Sequence, residues 1–252
     1  MRLLAGAVFV VALISTSVGA ADPSALWKIV NGQCVPHEEA EHDPSPCAEV
    51  DLTGGVAKGY GVLKDIRGVA QFLLIPTARI GGIEDPAILA PSATNYWDAA
   101  WKARSFVDQR LHTSLPRDEV ALAINSLLAR TQNQLHIHID CVRLDVHSIL
   151  AANFDSVASK WTPFPVPLAG HSYRSIRINQ ENLHDVDPFR LLADDILASQ
   201  RNMGLHTLVL VGAKFADGQD GFVLLDDYAD LAAGDRASGE QLQDHSCAIA
   251  LK

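Results

Sequence analysis

An alternation of polar and apolar residues in QLHIHI, residues 134–139, constrains the fold of this chain more than any other feature. Residues two apart in a β-strand point to the same side, so Gln134, His136 and His138 share one face and the three apolar residues share the other. The apolar face has to pack against a core, because large aliphatic side chains are stabilised by leaving water. The pattern therefore predicts a strand within a sheet, whose polar face lines a cleft.

The remaining apolar segments predict a single α+β domain, with an antiparallel sheet and helices around one core. Two β-type runs, residues 60–66 and 69–75, are separated only by Arg67-Gly68, which predicts an antiparallel hairpin. The 116–129 segment is predicted to be a helix, because Pro116 suits a first turn and Asp118 and Glu119 suit the positive end of the helix dipole. Further strands are expected at residues 173–178, 207–211 and 222–225, and further helices at 23–31, 95–108, 146–154 and 187–199.

Residues 1–21 differ in composition from the rest of the chain. Arg2 precedes an uninterrupted run of apolar or small residues, and charge resumes only at Asp22. Such a segment is typical of a secretory signal peptide, and its length is also compatible with an N-terminal membrane anchor, which needs about 20 apolar residues. Either interpretation predicts an exported domain that comprises residues 22–252.

The four cysteines fit an exported protein, because disulfides form and persist in oxidising compartments. Four cysteines allow three pairings. Cys34 and Cys47 flank a short polar loop, so we favour a local disulfide between them. That choice leaves Cys141, just after the histidine strand, to pair with Cys247 near the C-terminus.

The net charge argues against nucleic acid as a partner. Twenty basic against thirty acidic side chains give a formal charge of −10, whereas polyanion binding relies on a basic surface. A single nucleotide unit needs only a few well-placed cations and amides and is compatible with this charge. The sequence contains neither a GxxxxGK[ST] loop nor a GxSxG elbow, which argues against a P-loop enzyme and a serine lipase.

Three hypotheses compete for the polar face of the histidine strand. His136 and His138 could be packed structural residues, or they could supply two ligands to a metal ion, although Gln134 is a poor third ligand. Alternatively, a neutral imidazole can attack phosphorus and form a phosphoramidate that water later cleaves. In that case the neighbouring imidazole and amide donate hydrogen bonds to the phosphate oxygens and the leaving group. We favour the chemistry on phosphate.

The strand resembles the histidine-triad motif, in which three His alternate with apolar residues, with Gln134 in place of the first His. Residues 124–141 and several other segments are similar to one branch, the bacterial CDP-diacylglycerol pyrophosphatases: VLKDIRGVAQFLLIPTARIGGIEDP, NYWDAAWKAR, DGFVLLDD and LQDHSC. The resemblance covers nearly the whole chain after the leader. It implies a histidine-triad-like fold.

The resemblance also implies an activity, namely hydrolysis of CDP-diacylglycerol to CMP and phosphatidate without an obligatory metal or other cofactor. His136 would be the nucleophile that takes up the nucleotidyl group, His138 would hold the phosphate region, and Gln134 would assist at the leaving-group side. The partner would be a lipid-linked nucleotide at a membrane surface, which places the domain at the periplasmic face of the bacterial inner membrane. The sequence makes no prediction about the oligomeric state.

Four further residues are candidates for substrate binding. Asn125, eleven residues before His136, matches the position at which triad proteins keep an Asn that contacts the nucleotide phosphate. Arg130 and Asn133 flank the strand and could meet phosphate oxygens or cap the turn, and Lys64 belongs to the predicted hairpin. Two alternatives stay open: a broader nucleotide hydrolase or nucleotidyltransferase of the same superfamily, and an exported metal-binding protein.

Overall fold

A nine-stranded antiparallel sheet is the framework of the protein, which the computed structural model describes over residues 22–195 and 200–251. In the sheet the strands follow the order β1-β2-β3-β5-β4-β8-β9-β7-β6. This confirms the predicted α+β class and its antiparallel sheet. The predicted leader, residues 1–21, and the end of the predicted 187–199 helix lie outside the described residues. The strands are β1 (Glu49–Asp51), β2 (Tyr60–Lys64), β3 (Phe72–Pro76), β4 (Val120–Ile124), β5 (Ile137–Cys141), β6 (Thr162–Pro163), β7 (Arg174–Ile178), β8 (His206–Lys214) and β9 (Asp220–Tyr228).

Six α-helices of the described residues connect or cover the strands: α1 (Ala25–Ile29), α2 (Val35–Glu41), α3 (Tyr96–Ala103), α4 (Ser105–Leu111), α5 (Leu144–Asn153) and α6 (Pro188–Asp195). A π-helical turn, Val30–Cys34, joins α1 to α2, so the N-terminal helical region is longer than the predicted 23–31. The helices predicted at 95–108 and 146–154 are confirmed in position, and Asn95 caps α3 by accepting from the backbone N–H of Asp98. None of the helices in the described part of the chain is long and apolar enough to cross a membrane.

The predicted helix at 116–129 is wrong. A short 3₁₀ turn, Arg117–Glu119, leads directly into β4, all of whose residues are buried. β4 lies between β5 and β8, with apolar neighbours on both faces of the sheet. A strand that is buried on both sides has no polar alternation, so its sequence resembles that of a buried helix.

The histidine-bearing face of the sheet is covered by two separate groups of apolar residues. His138 pairs with Leu73 of β3 on one side and with Ala123 of β4 on the other. Leu73 packs with the α1–α2 region, whereas Ala123 packs with α5 and the C-terminal segment. The opposite face carries Ile137 and Ile139, which belong to the largest core cluster together with the aromatic residues of α3. The polar face therefore lies at a gap between two cores.

Both predicted disulfides are confirmed. Cys34 and Cys47 join the end of the π-helical turn to the segment before β1, across a sequence separation of 13. Cys141 and Cys247 join the end of β5 to the C-terminal segment, across a separation of 106. The second disulfide holds the C-terminal segment beside the strand that carries the histidines.

Candidate active site

A cavity of about 480 Å³ lies over the polar face of the histidine strand. Its walls come from α1, the β2–β3 hairpin, the turn after β4 and the C-terminal segment. Its polar side chains include His136, His138, Lys64, Asn125, Gln132 and Glu240. Part of the wall is apolar and consists of Leu26, Ile29, Leu63 and Leu73. Two imidazoles, two amides, an ammonium group and a carboxylate thus face an apolar wall in one cavity.

Hydrogen bonding holds His136 in one tautomer. Its Nδ1 lies 2.7 Å from the backbone carbonyl oxygen of Gln134. A carbonyl oxygen only accepts, so Nδ1 carries the proton and Nε2 keeps its lone pair. Within residues 22–195 and 200–251, no hydrogen bond occupies that Nε2. Nε2 is therefore free to act as a nucleophile.

His138 carries its proton on the other nitrogen. The side-chain amide of Gln71 donates to Nδ1 of His138 at 2.9 Å and to Oε1 of Glu240 at 3.3 Å. Glu240 Oε1 also lies 3.2 Å from the same Nδ1, but the amide nitrogen of Gln71 can only donate, so Nδ1 is the acceptor. The proton then resides on Nε2, which is buried and has no partner in the described part of the chain. This N–H is a donor for a bound ligand.

Burial keeps both imidazoles neutral. His136 and His138 are only 7% and 5% exposed, and their rings meet edge to face at 4.8 Å between centroids. Loss of hydration lowers the pKa of His136, although the bond to the Gln134 carbonyl and the charge of Glu240 act in the opposite direction. Loss of hydration and then the nearby His136 bring the pKa of His138 well below its usual value. Nucleophilic attack through nitrogen requires this neutral state.

Glu240, which the sequence did not single out, orients Asn125. Its Oε2 accepts from Asn125 Nδ2 at 2.6 Å, and its backbone N–H donates to Asn125 Oδ1 at 3.4 Å. The Ser238 hydroxyl donates to the same Oδ1 at 3.1 Å. The segment lies directly on the sheet at Gly239, where a Cβ atom would be only 2.8 Å from the Thr207 hydroxyl. Only glycine permits this close approach.

Asp140 and His245 form a carboxylate–histidine pair beside the cavity. Nδ1 of His245 is 2.7 Å from Oδ2 of Asp140, a fully buried residue of β5. The hydrogen bond to Asp140 raises the pKa of His245, while burial raises the pKa of Asp140. Nε2 of His245 is 3.8 Å from Oε1 of Glu240, so this pair connects β5 to the carboxylate in the cavity.

Gln134 lies outside the main cavity, in a small recess that it shares with His136 and Arg130. Its side chain is fully buried, and its Nε2 donates to the backbone carbonyls of Pro76 at 3.0 Å and Ala78 at 2.8 Å. The side-chain amide thus fixes the chain that leaves β3, while the backbone carbonyl orients His136. A role of the side chain at the leaving group stays a prediction.

The other predicted binding residues are dispersed. Lys64 lines the cavity, and its ammonium donates to the carbonyls of the hairpin turn, including that of Asp65 at 2.7 Å. Arg130 forms a bidentate ion pair with Glu84, with 2.5 and 2.6 Å between the paired atoms, and it lines the small recess. Asn133 is exposed, and its backbone N–H donates to the Pro23 carbonyl at 2.7 Å. The structure therefore brings Lys64 and Asn125 together with both histidines, but not Asn133.

Potential metal ligands cluster in two places within the described residues. Asp140 lies beside Cys141 and Cys247, whose sulfurs are already joined in a disulfide. The other group consists of His171, Asp227 and Asp235, and it lines a different cavity. Neither group includes His136 or His138.

Comparison of the sequence with known proteins identifies its family. The family model for CDP-diacylglycerol pyrophosphatases matches residues 21–251. A curated relative from Yersinia pestis, named CDP-diacylglycerol pyrophosphatase, is 43% identical over 225 residues, which cover 89% of this chain and 84% of the relative. The chain is therefore an enzyme that belongs to the CDP-diacylglycerol pyrophosphatase family.

Proposed function

We propose that the chain hydrolyses the pyrophosphate bond of CDP-diacylglycerol to CMP and phosphatidate through a covalent nucleotidyl intermediate on His136. Family membership supports the substrate and the reaction. The observation that carries the mechanism is the hydrogen bond from His136 Nδ1 to the Gln134 carbonyl, which leaves the lone pair of Nε2 free. We also propose that the chain belongs to the histidine-triad-like superfamily in fold and chemistry.

The reaction takes place in two displacements at the cytidylyl phosphorus. In the first, Nε2 of His136 attacks phosphorus, a P–N bond forms, and the bond to the bridging oxygen breaks to release phosphatidate. In the second, water attacks the same phosphorus and loses a proton to solvent, the P–N bond breaks with its electron pair returning to Nε2, and CMP leaves with the water oxygen. Two in-line displacements return the imidazole to its starting state. Because the proton of His136 stays on Nδ1 in the free enzyme, Nε2 needs no prior deprotonation.

His138 stabilises the charge that develops on phosphate. Its Nε2–H is buried without a partner among the described residues, and it donates to a non-bridging oxygen or to the departing phosphate. Asn125 and Glu240 position this part of the cavity, because they are joined by a hydrogen bond of 2.6 Å. Phosphatidate is a good leaving group, so strong general-acid assistance from Gln134 is not required.

The apolar wall of the cavity favours a lipid-linked substrate over a soluble nucleotide. Leu26, Ile29 and Leu63 line the cavity, and Ile66 at the hairpin tip is fully exposed. These side chains offer an apolar path from the reacting phosphate toward a membrane. We further propose that residues 1–21 direct export of the domain to the periplasmic face of the inner membrane, where such a lipid is accessible.

The rival function within the same chemistry is a nucleotide hydrolase or nucleotidyltransferase with a soluble acceptor. A comparison of kcat/KM for CDP-diacylglycerol in mixed micelles, CDP-choline and an ADP-sugar distinguishes the two. We expect CMP and phosphatidate from the lipid substrate, and a kcat/KM at least tenfold lower for the soluble nucleotides. Equal values for CDP-choline and CDP-diacylglycerol would reject lipid selectivity.

A further inference from the structure

A second cavity, of about 670 Å³, is lined by residues of β7, β8 and β9, by the turn before β8 and by the loops that carry His171 and Asp235. None of these lining residues also lines the histidine cavity. His171, Asp227 and Asp235 meet there, and their potential ligand atoms all lie within 4.8 Å of one another. The segment DGFVLLDD ends at Asp227, and the proposed hydrolysis leaves its three acidic residues unused. The cluster therefore requires its own explanation.

Rigid elements hold the three side chains. His171 follows a two-residue turn in which Ala169 and Gly170 have φ angles of 51° and 91°, and Leu168 and His171 exchange backbone hydrogen bonds of 2.9 and 3.0 Å. Asp227 lies within β9. Asp235 is fixed because its Oδ1 accepts from the Ala237 backbone N–H at 2.8 Å. The side chains thus converge from a turn, a strand and a loop without depending on one flexible segment.

One carboxylate oxygen of the cluster, Oδ2 of Asp227, is buried and accepts no hydrogen bond from the described residues. Asp227 is 6% exposed, and its Oδ1 accepts from the Tyr228 backbone N–H at 2.8 Å. Its Oδ2 has no hydrogen-bond partner in the portion of the chain that the structure describes. Oδ2 of Asp235 is 2.5 Å from Nδ1 of His171.

We propose that His171, Asp227 and Asp235 bind one divalent metal ion of the Zn²⁺ type. One imidazole nitrogen with two carboxylate oxygens suits Zn²⁺, whereas Ca²⁺ and Mg²⁺ prefer oxygen ligands alone. Bonds of about 2.0 Å in a tetrahedral site put ligand atoms about 3.3 Å apart. The close His171–Asp235 contact therefore opens by about 0.8 Å on binding, Asp227 Oδ2 supplies the third ligand, and a water molecule supplies the fourth.

The role of the ion is structural and independent of the proposed hydrolysis. It ties the turn at His171 and the loop at Asp235 to β9. Three residues after Asp235, the same loop reaches Ser238, whose hydroxyl contacts Asn125 in the histidine cavity. Metal binding therefore stiffens a segment that ends at the active site, although none of the three ligands lines that cavity.

The test is titration of the full, chelator-stripped protein with Zn²⁺ by calorimetry, with Tm measured in parallel. We expect one Zn²⁺ per chain and a rise in Tm. Asp227→Asn and His171→Gln should each weaken binding at least tenfold, because each removes one ligand with little change in size. His147→Gln is the matched control, since His147 forms a comparable pair with Asp118 at 2.9 Å but has no third ligand there among the described residues.

A His136→Ala variant separates this site from the histidine pair. We expect it to retain full Zn²⁺ affinity. Three results would overturn the proposal: no saturable Zn²⁺ binding by the unsubstituted protein, unchanged affinity in both Asp227→Asn and His171→Gln, or loss of binding in His136→Ala. If one ligand variant fails to fold, the other still tests the site, and an absence of saturable Zn²⁺ binding by the unsubstituted protein refutes the proposal on its own.

Discussion

Removal of the Cys141–Cys247 disulfide should destabilise the fold more than removal of Cys34–Cys47. The first disulfide closes a loop with a sequence separation of 106, and the second a loop with a separation of 13. In the chain-entropy description, closure of such loops in the unfolded state is worth about 4.7 and about 3 kcal/mol. All four cysteines are buried, so the loss of sulfur packing is similar in the two double variants. We therefore expect a difference of about 2 kcal/mol in the free energy of unfolding.

Urea denaturation without reductant measures this difference. The Cys141→Ala/Cys247→Ala and Cys34→Ala/Cys47→Ala variants should be compared with the unsubstituted protein for the free energy of unfolding and for its dependence on urea. The long-loop variant should also lose turnover, because Cys141 and Cys247 hold the segment of His245 beside β5. If the short-loop variant is equally or more destabilised, loop closure does not explain the contribution of these disulfides.

Three other predictions concern the histidine cavity. The pKa values of His136 and His138 are both lowered, so the neutral imidazoles persist into acid. We therefore expect kcat/KM to decline only below pH 6.5, and a pH–rate profile that already declines above pH 6.5 on the acid side would contradict this. Glu240→Gln replaces a charged hydrogen bond to Asn125, worth about 1.5–3 kcal/mol, by a neutral one worth about 0.5–1.5 kcal/mol, so kcat/KM should fall about five- to tenfold. Steady-state kinetics measures this fall, and an unchanged kcat/KM would refute the role of Glu240. Gln134→Met leaves the buried Pro76 carbonyl and the partly buried Ala78 carbonyl without this donor and should lower the free energy of unfolding in urea by about 2 kcal/mol. A loss below about 0.5 kcal/mol would be inconsistent with the two bonds.

Local sequence patterns predicted the strands that have one polar and one apolar face, or that flank a short turn. The alternation at residues 134–139 identified a strand, its apolar side and the shared cavity of His136 and His138. The regular strand begins only at Ile137, and Gln134 lies outside that cavity. The hairpin of β2 and β3 was predicted for a similar reason, because a short turn separates two apolar runs. The same reasoning failed for β4, since a strand covered on both faces shows no alternation.

Long-range partners could not be read from the sequence. Glu240 reaches Asn125 across 115 positions, and Asp140 reaches His245 across 105. Gln71 was an isolated polar residue in an apolar run, which was a signal, but its partner His138 is 67 positions away. The segment LQDHSC pointed to the C-terminal end without indicating which side chain enters the cavity. The topology of the sheet, rather than any local motif, brings these residues together.

The most direct test of the proposed mechanism is detection of the covalent intermediate on His136. Excess enzyme is mixed with CDP-diacylglycerol, quenched in alkali within milliseconds because phosphoramidates are labile in acid, and examined by intact mass and peptide mapping. We expect one cytidylyl group on His136, its disappearance in His136→Ala together with turnover, and its retention in His147→Ala. Turnover by His136→Ala at the unsubstituted rate, or a cytidylyl group on a different residue, would contradict the mechanism.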